Sequence, residues 1–281
     1  MNQIENEHII KLQYVDNRRY EFSKGKFIEE IMYYALGEYG EYFFAPGDWT
    51  NEFMLNLVAV SEEGVKFAKE WLGYKDDKRI SFIYGNKQYD SPTNPDSFIQ
   101  KIWSGGGAFI GEVFINMSDE YMPSIIIHEA VHAILRVYNR KTNFPAPPET
   151  AEWSFAQFLE EGLCNLLDYL FFLETPLVYG TNRYGTSKEN METYLHKKAL
   201  EAFVYHKNFE NEAEYGLIYP QLMSYETAAS FIFNLLEIGT KQDFMRIFDD
   251  INLMEEVYGL NMDAKIAEWL AFLEQHKIGT R

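Results

Sequence analysis

A single cysteine, Cys164, occurs among the 281 residues, so no disulfide bond can form within the chain. This scarcity is typical of a protein from a reducing compartment, because small extracellular domains usually depend on several disulfides. Cys164 stands among leucines, and we interpret it as a buried structural thiol rather than as a nucleophile.

Basic residues are also scarce: 25 Lys and Arg stand against 43 Asp and Glu, which gives a formal net charge of −18. Nucleic acid is therefore not expected as a partner, because phosphate groups are bound by clustered lysines and arginines. No window of the sequence approaches the roughly 20 apolar residues of a membrane helix. The N-terminal residues also lack the apolar segment of a signal peptide. We expect a cytoplasmic protein that does not insert into membranes.

The composition, with 47% hydrophobic and 24% charged residues, is that of a globular chain with one large domain or two smaller ones. Strand patterns dominate the first half of the chain and helical patterns the second half, which predicts an α+β fold. A polar stretch at 73–78 predicts a boundary between an N-terminal α/β lobe, 1–78, and a second domain, 79–281.

Apolar periodicity also predicts individual elements. The predicted strands cover 8–14, 56–60, 79–85 and 109–115, and the predicted helices of the first half cover 23–38 and 62–72. Three consecutive glycines, 105–107, predict a flexible turn before the last of these strands. Pro123 suits the first turn of a helix and predicts that a helix begins there. After a Pro-rich loop over 142–153, the pattern predicts helices almost to the end.

The stretch SIIIHEAVHAILRVYNR, residues 124–140, carries two histidines four positions apart with a glutamate after the first. Residues four apart lie on one face of a helix, so His128 and His132 can direct two imidazoles at one point, as a tetrahedral zinc ion requires. Glu129 projects beside the pair and can act as general base toward a metal-bound water. The flanking residues are apolar, so the helix is expected to be buried, where unpartnered polar side chains would be costly. We therefore predict one bound Zn²⁺ ion.

A catalytic zinc ion needs a third protein ligand. The HExxHxxGxxH pattern, which would supply a third histidine, is absent from this sequence. A glutamate on a downstream helix is the other option, and FAQFLEEGLCNLLDYL supplies Glu160 and Glu161 among apolar residues. His196 or His206 would be the substitute third ligand if Glu161 does not bind the ion.

HEAVH followed by LEEGLCNLL resembles the gluzincin zinc metallopeptidases, and the resemblance covers roughly residues 79–281. It implies a zincin-like catalytic domain with a mixed sheet, an active-site helix and a helical C-terminal part. The second motif of the family is a glutamate directly before a glycine, so the resemblance implies that Glu161 is the third ligand. Asn165 stands where many members have a polar residue that hydrogen-bonds a ligand histidine.

Two further segments resemble the family. GGGAFIGEVFIN resembles the edge strand above the metal, to which substrate backbone adds as an extra strand. It differs from the GxMEN signature of the aminopeptidase branch, and Glu112 is the residue that would replace the glutamate of that signature. SYETAASFIF resembles the segment in which that branch places a tyrosine that donates a hydrogen bond to the oxyanion. The resemblance implies this role for Tyr225, with Tyr219 as the second choice.

Together these residues predict a zinc-dependent peptidase that acts on peptide or protein substrates. The predicted metal ligands are His128, His132 and Glu161, Glu129 is the predicted general base, and Tyr225 is the predicted oxyanion donor. Two alternatives stay open: a catalytically silent zincin-fold binding or regulatory module, and a metal-dependent hydrolase of a non-peptide substrate. A water molecule in the fourth coordination position distinguishes a catalytic ion from a structural one.

Overall fold

The computed structural model describes residues 10–23, 28–86, 105–117, 123–138, 151–175, 188–207 and 225–276. The chain divides into two compact units: Met1–Tyr138 with Leu177–Gly180, and Asn139–Pro176 with Thr181–Arg281. In the described ranges the first unit holds all six strands together with two helices, and the second holds six helices. The predicted α+β class with a mixed sheet is confirmed.

The first unit is built on one six-stranded sheet. Its strands are β1 (Gln13–Glu21), β2 (Ile28–Leu36), β3 (Gly40–Phe44), β4 (Ile80–Asn86), β5 (Gly105–Phe109) and β6 (Glu112–Met117). The spatial order is β1–β2–β3–β4–β6–β5. The β3–β4 and β4–β6 pairs are parallel, whereas the β1–β2, β2–β3 and β5–β6 pairs are antiparallel. Among the described strands, β1 and β5 therefore form the two edges of a mixed sheet.

Helix α1 (Asn51–Leu72) makes the crossover between the parallel strands β3 and β4. Thr50 caps its first turn, and Gly73 ends it in the left-handed region at a φ of 83°, which glycine adopts without steric cost. The hydroxyl of Tyr84 on β4 and that of Ser61 on α1 are hydrogen-bonded at 2.5 Å. The helix therefore covers the sheet face that carries Tyr84.

One carboxylate ties α1 to the turn between β2 and β3. The Glu62 side chain accepts hydrogen bonds from the backbone N–H groups of Glu38 and Gly40, both at 2.9 Å, and of Tyr39 at 3.1 Å. It also accepts a hydrogen bond from the hydroxyl of Tyr42, a fully buried residue of β3. Burial and the neighbouring Glu62 carboxylate raise the pKa of Tyr42 well above its usual range.

The other face of the sheet buries an apolar cluster, whose members are Phe22, Ile31, Phe43, Ile83 and Phe114. The chain at the end of β1 lies over this face, because the Phe22 and Phe114 rings are 6.1 Å apart in an edge-to-face arrangement. Glu112 on β6 accepts hydrogen bonds from the hydroxyls of Tyr20 at 2.8 Å and Ser23 at 2.6 Å. Glu112 therefore joins β6 to the end of β1.

Helix α2 (Pro123–Val137) carries the two histidines and packs on α1, β5 and β6. It begins at Pro123, as predicted. Seven of its side chains are 0% exposed: Ile126, Ile127, Ala130, Val131, Ala133, Ile134 and Leu135. The prediction that the histidines lie on a buried helix is therefore confirmed.

The second unit consists of helices in its described residues. They are α3 (Ala151–Glu174), α4 (Lys188–Lys207), α5 (Tyr225–Ile238), α6 (Lys241–Asp249), α7 (Met254–Tyr258) and α8 (Met262–His276). α3 and α4 both pack on α5. None of the helices that the structure describes is both long enough and apolar enough to cross a membrane.

Several local predictions are wrong. The helix predicted over 23–38 is replaced by β2, because IEEIMYYAL fits both periods and pairing with two neighbouring strands selects the extended form. The strand predicted over 56–60 lies inside α1, whose apolar residues there pack against the sheet. The glycines at 105–107 form β5, and the turn comes later, at Ile110 and Gly111.

Other local predictions are confirmed: the helix over 62–72 is part of α1, and the strand over 79–85 corresponds to β4. The strand predicted over 109–115 overlaps β6, which is shifted toward the C-terminus. β1 begins at Gln13, so the strand predicted over 8–14 is wrong for 10–12, and residues 8 and 9 lie outside the described ranges. The domain boundary predicted after residue 78 stays a prediction, although strands from both sides of it join one sheet.

Candidate metal centre

The two histidines of α2 direct their rings at one point. The Nε2 atoms of His128 and His132 are 3.2 Å apart, and the ring planes meet at 69°. Two nitrogens bound to one tetrahedral zinc ion, each at 2.0–2.1 Å, lie about 3.3 Å apart. His132 is 4% exposed and His128 is half-buried, so the pair is desolvated on one side and accessible on the other. The geometry and the donor type both fit two ligands of a zinc ion.

Glu129 lies on the same turn of α2 as His128 and is half-buried. Its side chain lies against β5, where a Cβ atom added to Gly106 would be 3.1 Å from the Cγ of Glu129. The same Cβ atom would be 2.9 Å from the Cγ2 of Ile125, one helical turn earlier. Strand β5 and the face of α2 that carries Glu129 are therefore in direct contact.

Arg136 is the next charged residue of α2 after Glu129, seven positions later on the same helix face. Its guanidinium donates a hydrogen bond to the backbone carbonyl of Ala108 on β5. Neither Arg136 nor the contact made by Gly106 is predicted from the sequence. Two sequence features are relevant: an arginine at helical spacing from the HExxH motif, and the run of glycines. Neither feature indicates which distant segment its residues contact.

The end of α2 is held by a hydrogen-bonded cluster around Asp76. The Asp76 carboxylate accepts hydrogen bonds from the hydroxyl of Tyr138 and from the ammonium of Lys69, the latter at 3.2 Å. Lys69 is only 3% exposed. The Tyr138 ring stacks on Tyr74, with ring centroids 3.6 Å apart. These contacts join the residue after α2 to the C-terminal turn of α1 and the loop that follows it.

The same cluster shifts two pKa values. Burial acts to raise the pKa of Asp76, but the hydrogen bonds from Tyr138, Lys69 and the Lys78 backbone outweigh it, so the pKa is lowered. Burial raises the pKa of Tyr138, and its hydrogen bond to the Asp76 carboxylate raises it further. Both shifts favour a charged Asp76 and a neutral Tyr138 at neutral pH.

Glu161 lies on α3 in the second unit and is half-buried, whereas its neighbour Glu160 is 1% exposed. Gly162 is where α3 meets α5, because a Cβ atom there would lie 2.7 Å from the backbone carbonyl of Ala228. Contact between the two helices therefore requires a glycine after Glu161. The amide nitrogen of Asn165 donates to the hydroxyl of Tyr169 at 3.1 Å; its predicted bond to an imidazole stays a prediction.

Tyr225 is the first residue of α5 and is 56% exposed. It precedes Ala228, which abuts Gly162, by one helical turn. The structure thus places Tyr225 within the second unit near the crossing of α5 with α3. Its predicted role toward an oxyanion stays a prediction, and Tyr219 lies outside the described residues.

The other histidines considered as ligands, and the cysteine, do not strengthen the candidate site. His196 is hydrogen-bonded through Nδ1 to the hydroxyl of Ser230 at 2.7 Å, and its Nε2 lies 3.6 Å from a carboxylate oxygen of Glu192. Both ring nitrogens are thus engaged within the second unit, which makes His196 a poor substitute ligand. The side chain of His206 lies outside the described residues. Cys164 is fully buried, as predicted.

Glu112, the residue that would replace the glutamate of the aminopeptidase signature, is 7% exposed and accepts the hydrogen bonds from Tyr20 and Ser23 described above. Burial raises the pKa of Tyr20 above its usual range, with the hydrogen bond to Glu112 adding to the effect. The position of Glu112 under the end of β1 indicates a structural carboxylate.

Comparison of the sequence with protein-family models and with curated proteins finds no match. Functional interpretation of the site therefore rests on its chemistry and geometry.

Proposed function

We propose that this chain is a zinc-dependent peptidase of gluzincin type with a zincin-like fold. The observation that carries the proposal is the 3.2 Å spacing of the His128 and His132 Nε2 atoms, with Glu129 on the same helical turn. A satisfied core histidine explains one buried imidazole, but two convergent imidazoles beside an acid are the arrangement of a metal site with a general base.

The proposed ligands are His128, His132 and Glu161. They offer two imidazole nitrogens and one carboxylate oxygen. Three protein ligands of these types leave the fourth tetrahedral position to water or substrate, which is the arrangement of catalytic zinc. We choose Glu161 over Glu160 because Glu161 directly precedes a glycine, as the third ligand does in the gluzincins that the sequence resembles, and because its side chain is half-buried whereas Glu160 is 1% exposed.

In the proposed hydrolysis of a peptide bond, the metal ion and each side chain have separate roles. A bound zinc ion supplies Lewis acidity, which polarises the scissile carbonyl and lowers the pKa of bound water toward ~7. Glu129 takes the proton of the attacking water through its carboxylate and passes it to the leaving amine, so it acts first as base and then as acid. Tyr225 donates a hydrogen bond from its phenolic hydroxyl to the developing oxyanion.

The proposed substrate is a peptide in extended conformation. β5 is an edge of the sheet in the described part of the chain, and it lies against the helix face that carries Glu129. An edge strand offers backbone N–H and C=O groups to which a peptide can add as a further strand. Peptide backbone aligned there lies next to the proposed base.

Metal content is the first test. Protein purified without added metal is dialysed against a zinc buffer, and bound zinc is measured by mass spectrometry. The variants are Glu129→Gln, Glu161→Gln and Glu160→Gln, the last as a matched control. We expect about one equivalent of zinc in the wild type, Glu129→Gln and Glu160→Gln, and much less in Glu161→Gln, because only that variant loses a ligand.

Activity is the second test, with a quenched-fluorescence peptide library as substrate. We expect the wild type to cleave peptides and Glu129→Gln to lose about 10²–10⁴-fold of the rate, because general-base catalysis contributes on that order. Zinc binding without any cleavage would favour the silent binding module, and cleavage restricted to non-peptide amides or esters would favour the other hydrolase. Absence of zinc from the wild type would refute the proposal.

A further inference from the structure

We infer that strand β5 is a positioning element for Glu129, and that Gly106 and Arg136 are the two residues that set its distance from α2. The catalytic meaning of this inference rests on the proposed function. The packing contact itself does not, because it is formed by side chains and backbone of the first unit alone.

Gly106 sets the distance because it has no side chain on the face toward α2. A methyl group there would meet Ile125 Cγ2 at 2.9 Å and Glu129 Cγ at 3.1 Å, both closer than ordinary carbon–carbon contact. Glycine within a strand weakens the strand and often marks close approach of another chain segment. Here the approaching group is the side chain of the proposed base.

The neighbouring glycine has a different environment. Successive strand residues point to opposite faces, and a Cβ atom at Gly107 would meet the ring of Phe114 instead of α2. Phe114 belongs to the apolar cluster on the other face of the sheet. Substitution of Gly107 therefore perturbs the same strand without contact with Glu129, which makes it a matched control.

Arg136 holds the same strand at a second point. Its guanidinium donates to the Ala108 carbonyl, two residues after Gly106. Ile125, Glu129 and Arg136 recur at intervals of four and seven positions, so they lie along one face of α2. Contact with Ile125 at one end and the hydrogen bond from Arg136 at the other leave Glu129 between two fixed points. The Cγ of Glu129 is thereby packed against β5.

A double-mutant cycle in metal-free protein tests the contact without any activity. The folding equilibrium constant is measured by urea denaturation for four proteins: the wild type, Gly106→Ala, Glu129→Ala and the double variant. The effect of Gly106→Ala is thus obtained once with Glu129 present and once with alanine in its place. We expect Gly106→Ala to lower the constant about ten- to hundredfold in the wild type. The loss should be smaller by at least about threefold in Glu129→Ala, because the truncation removes one of the two close side-chain contacts and leaves the one with Ile125.

The control cycle uses Gly107→Ala, whose loss should be the same in both backgrounds. An equal loss for Gly106→Ala in both backgrounds would show that Glu129 does not lie against the strand, and it would overturn the inference. Because the cycle needs neither metal nor substrate, this failure is distinct from a failure of the proposed function.

Kinetics test the consequence once zinc binding and Glu129-dependent cleavage are established in the wild type. Folded Gly106→Ala should keep its zinc and a KM within about threefold, while kcat falls about 10²-fold, the cost of a displacement near 1 Å. Arg136→Met should lower kcat, and Arg136→Lys, which keeps a donor, should recover part of the loss. Unchanged kcat in both Gly106→Ala and Arg136→Met would refute a positioning role.

Discussion

Replacement of Asp76 by asparagine removes one charge from the cluster at the end of α2. The carboxylate oxygen Oδ1 accepts from the Lys69 ammonium and the Lys78 backbone, both at 3.2 Å, and from the Tyr138 hydroxyl. The asparagine side chain keeps the shape and one acceptor oxygen, so the hydrogen bonds from the Tyr138 hydroxyl and the Lys78 backbone become neutral, and the buried Lys69 ammonium loses its counter-charge. We expect the free energy of unfolding to fall.

The magnitude follows from the kind of bonds that change. A hydrogen bond to a charged group contributes about 1.5–3 kcal/mol and a neutral one about 0.5–1.5, so each conversion costs about 1 kcal/mol. The Asp76 side chain is 32% exposed, and solvent screens part of this loss. Lys69 also donates to the backbone carbonyls of Asp76 and Lys78, which remain. We therefore expect a loss of about 1–2 kcal/mol for Asp76→Asn at neutral pH.

The effect should depend on pH. The pKa of Asp76 is lowered in the folded protein, so the folded state binds this proton more weakly than the unfolded state, whose aspartates titrate near about 3.9. The stabilisation by Asp76 is then fully present above the unfolded pKa and is lost as pH falls through the folded pKa. The difference between wild type and Asp76→Asn should be constant near neutrality and shrink below about pH 4.

Urea denaturation followed by circular dichroism from pH 3.5 to 7 measures this difference. Asp77→Asn, which removes the same charge from the adjacent exposed residue, is the matched control and should change stability by less than about 0.5 kcal/mol. If the two variants are equally stable at pH 7, or if the Asp76→Asn effect persists unchanged at the lowest pH, the account of this cluster is wrong.

Two further predictions concern buried polar groups. Glu62→Gln should lower the free energy of unfolding by about 2 kcal/mol in urea denaturation, because one acceptor oxygen becomes a donor facing backbone N–H groups. The exposed control Glu63→Gln should have no measurable effect, and equal effects of the two would contradict the prediction. Ser230→Ala should cost about 1–3 kcal/mol by thermal denaturation, since His196 and Trp269 both lose a buried partner. An unchanged midpoint would show that these bonds contribute nothing.

The helix of the proposed site could be predicted from the sequence, because its start and its buried face depend on residues that are close together in the chain. Pro123 and the apolar run after it predict the start and burial of α2, and both are observed. The glycines at 105–107 predict a turn, because glycine is frequent in turns. Only pairing with β6 and close packing of α2 show why they stand in a strand.

The sequence by itself determined the chemistry that the chain can offer: two imidazoles at helical spacing, an adjacent carboxylate, and a second helix with Glu161 before a glycine. Helical periodicity alone places the histidines together, since the spacing is local. Tertiary structure decided the rest: β2 in place of a helix, the approach of Gly106 to Glu129 and the bond from Arg136 to Ala108. The partners in these contacts are distant in sequence, and local pattern contains no information about which distant segment will pack there.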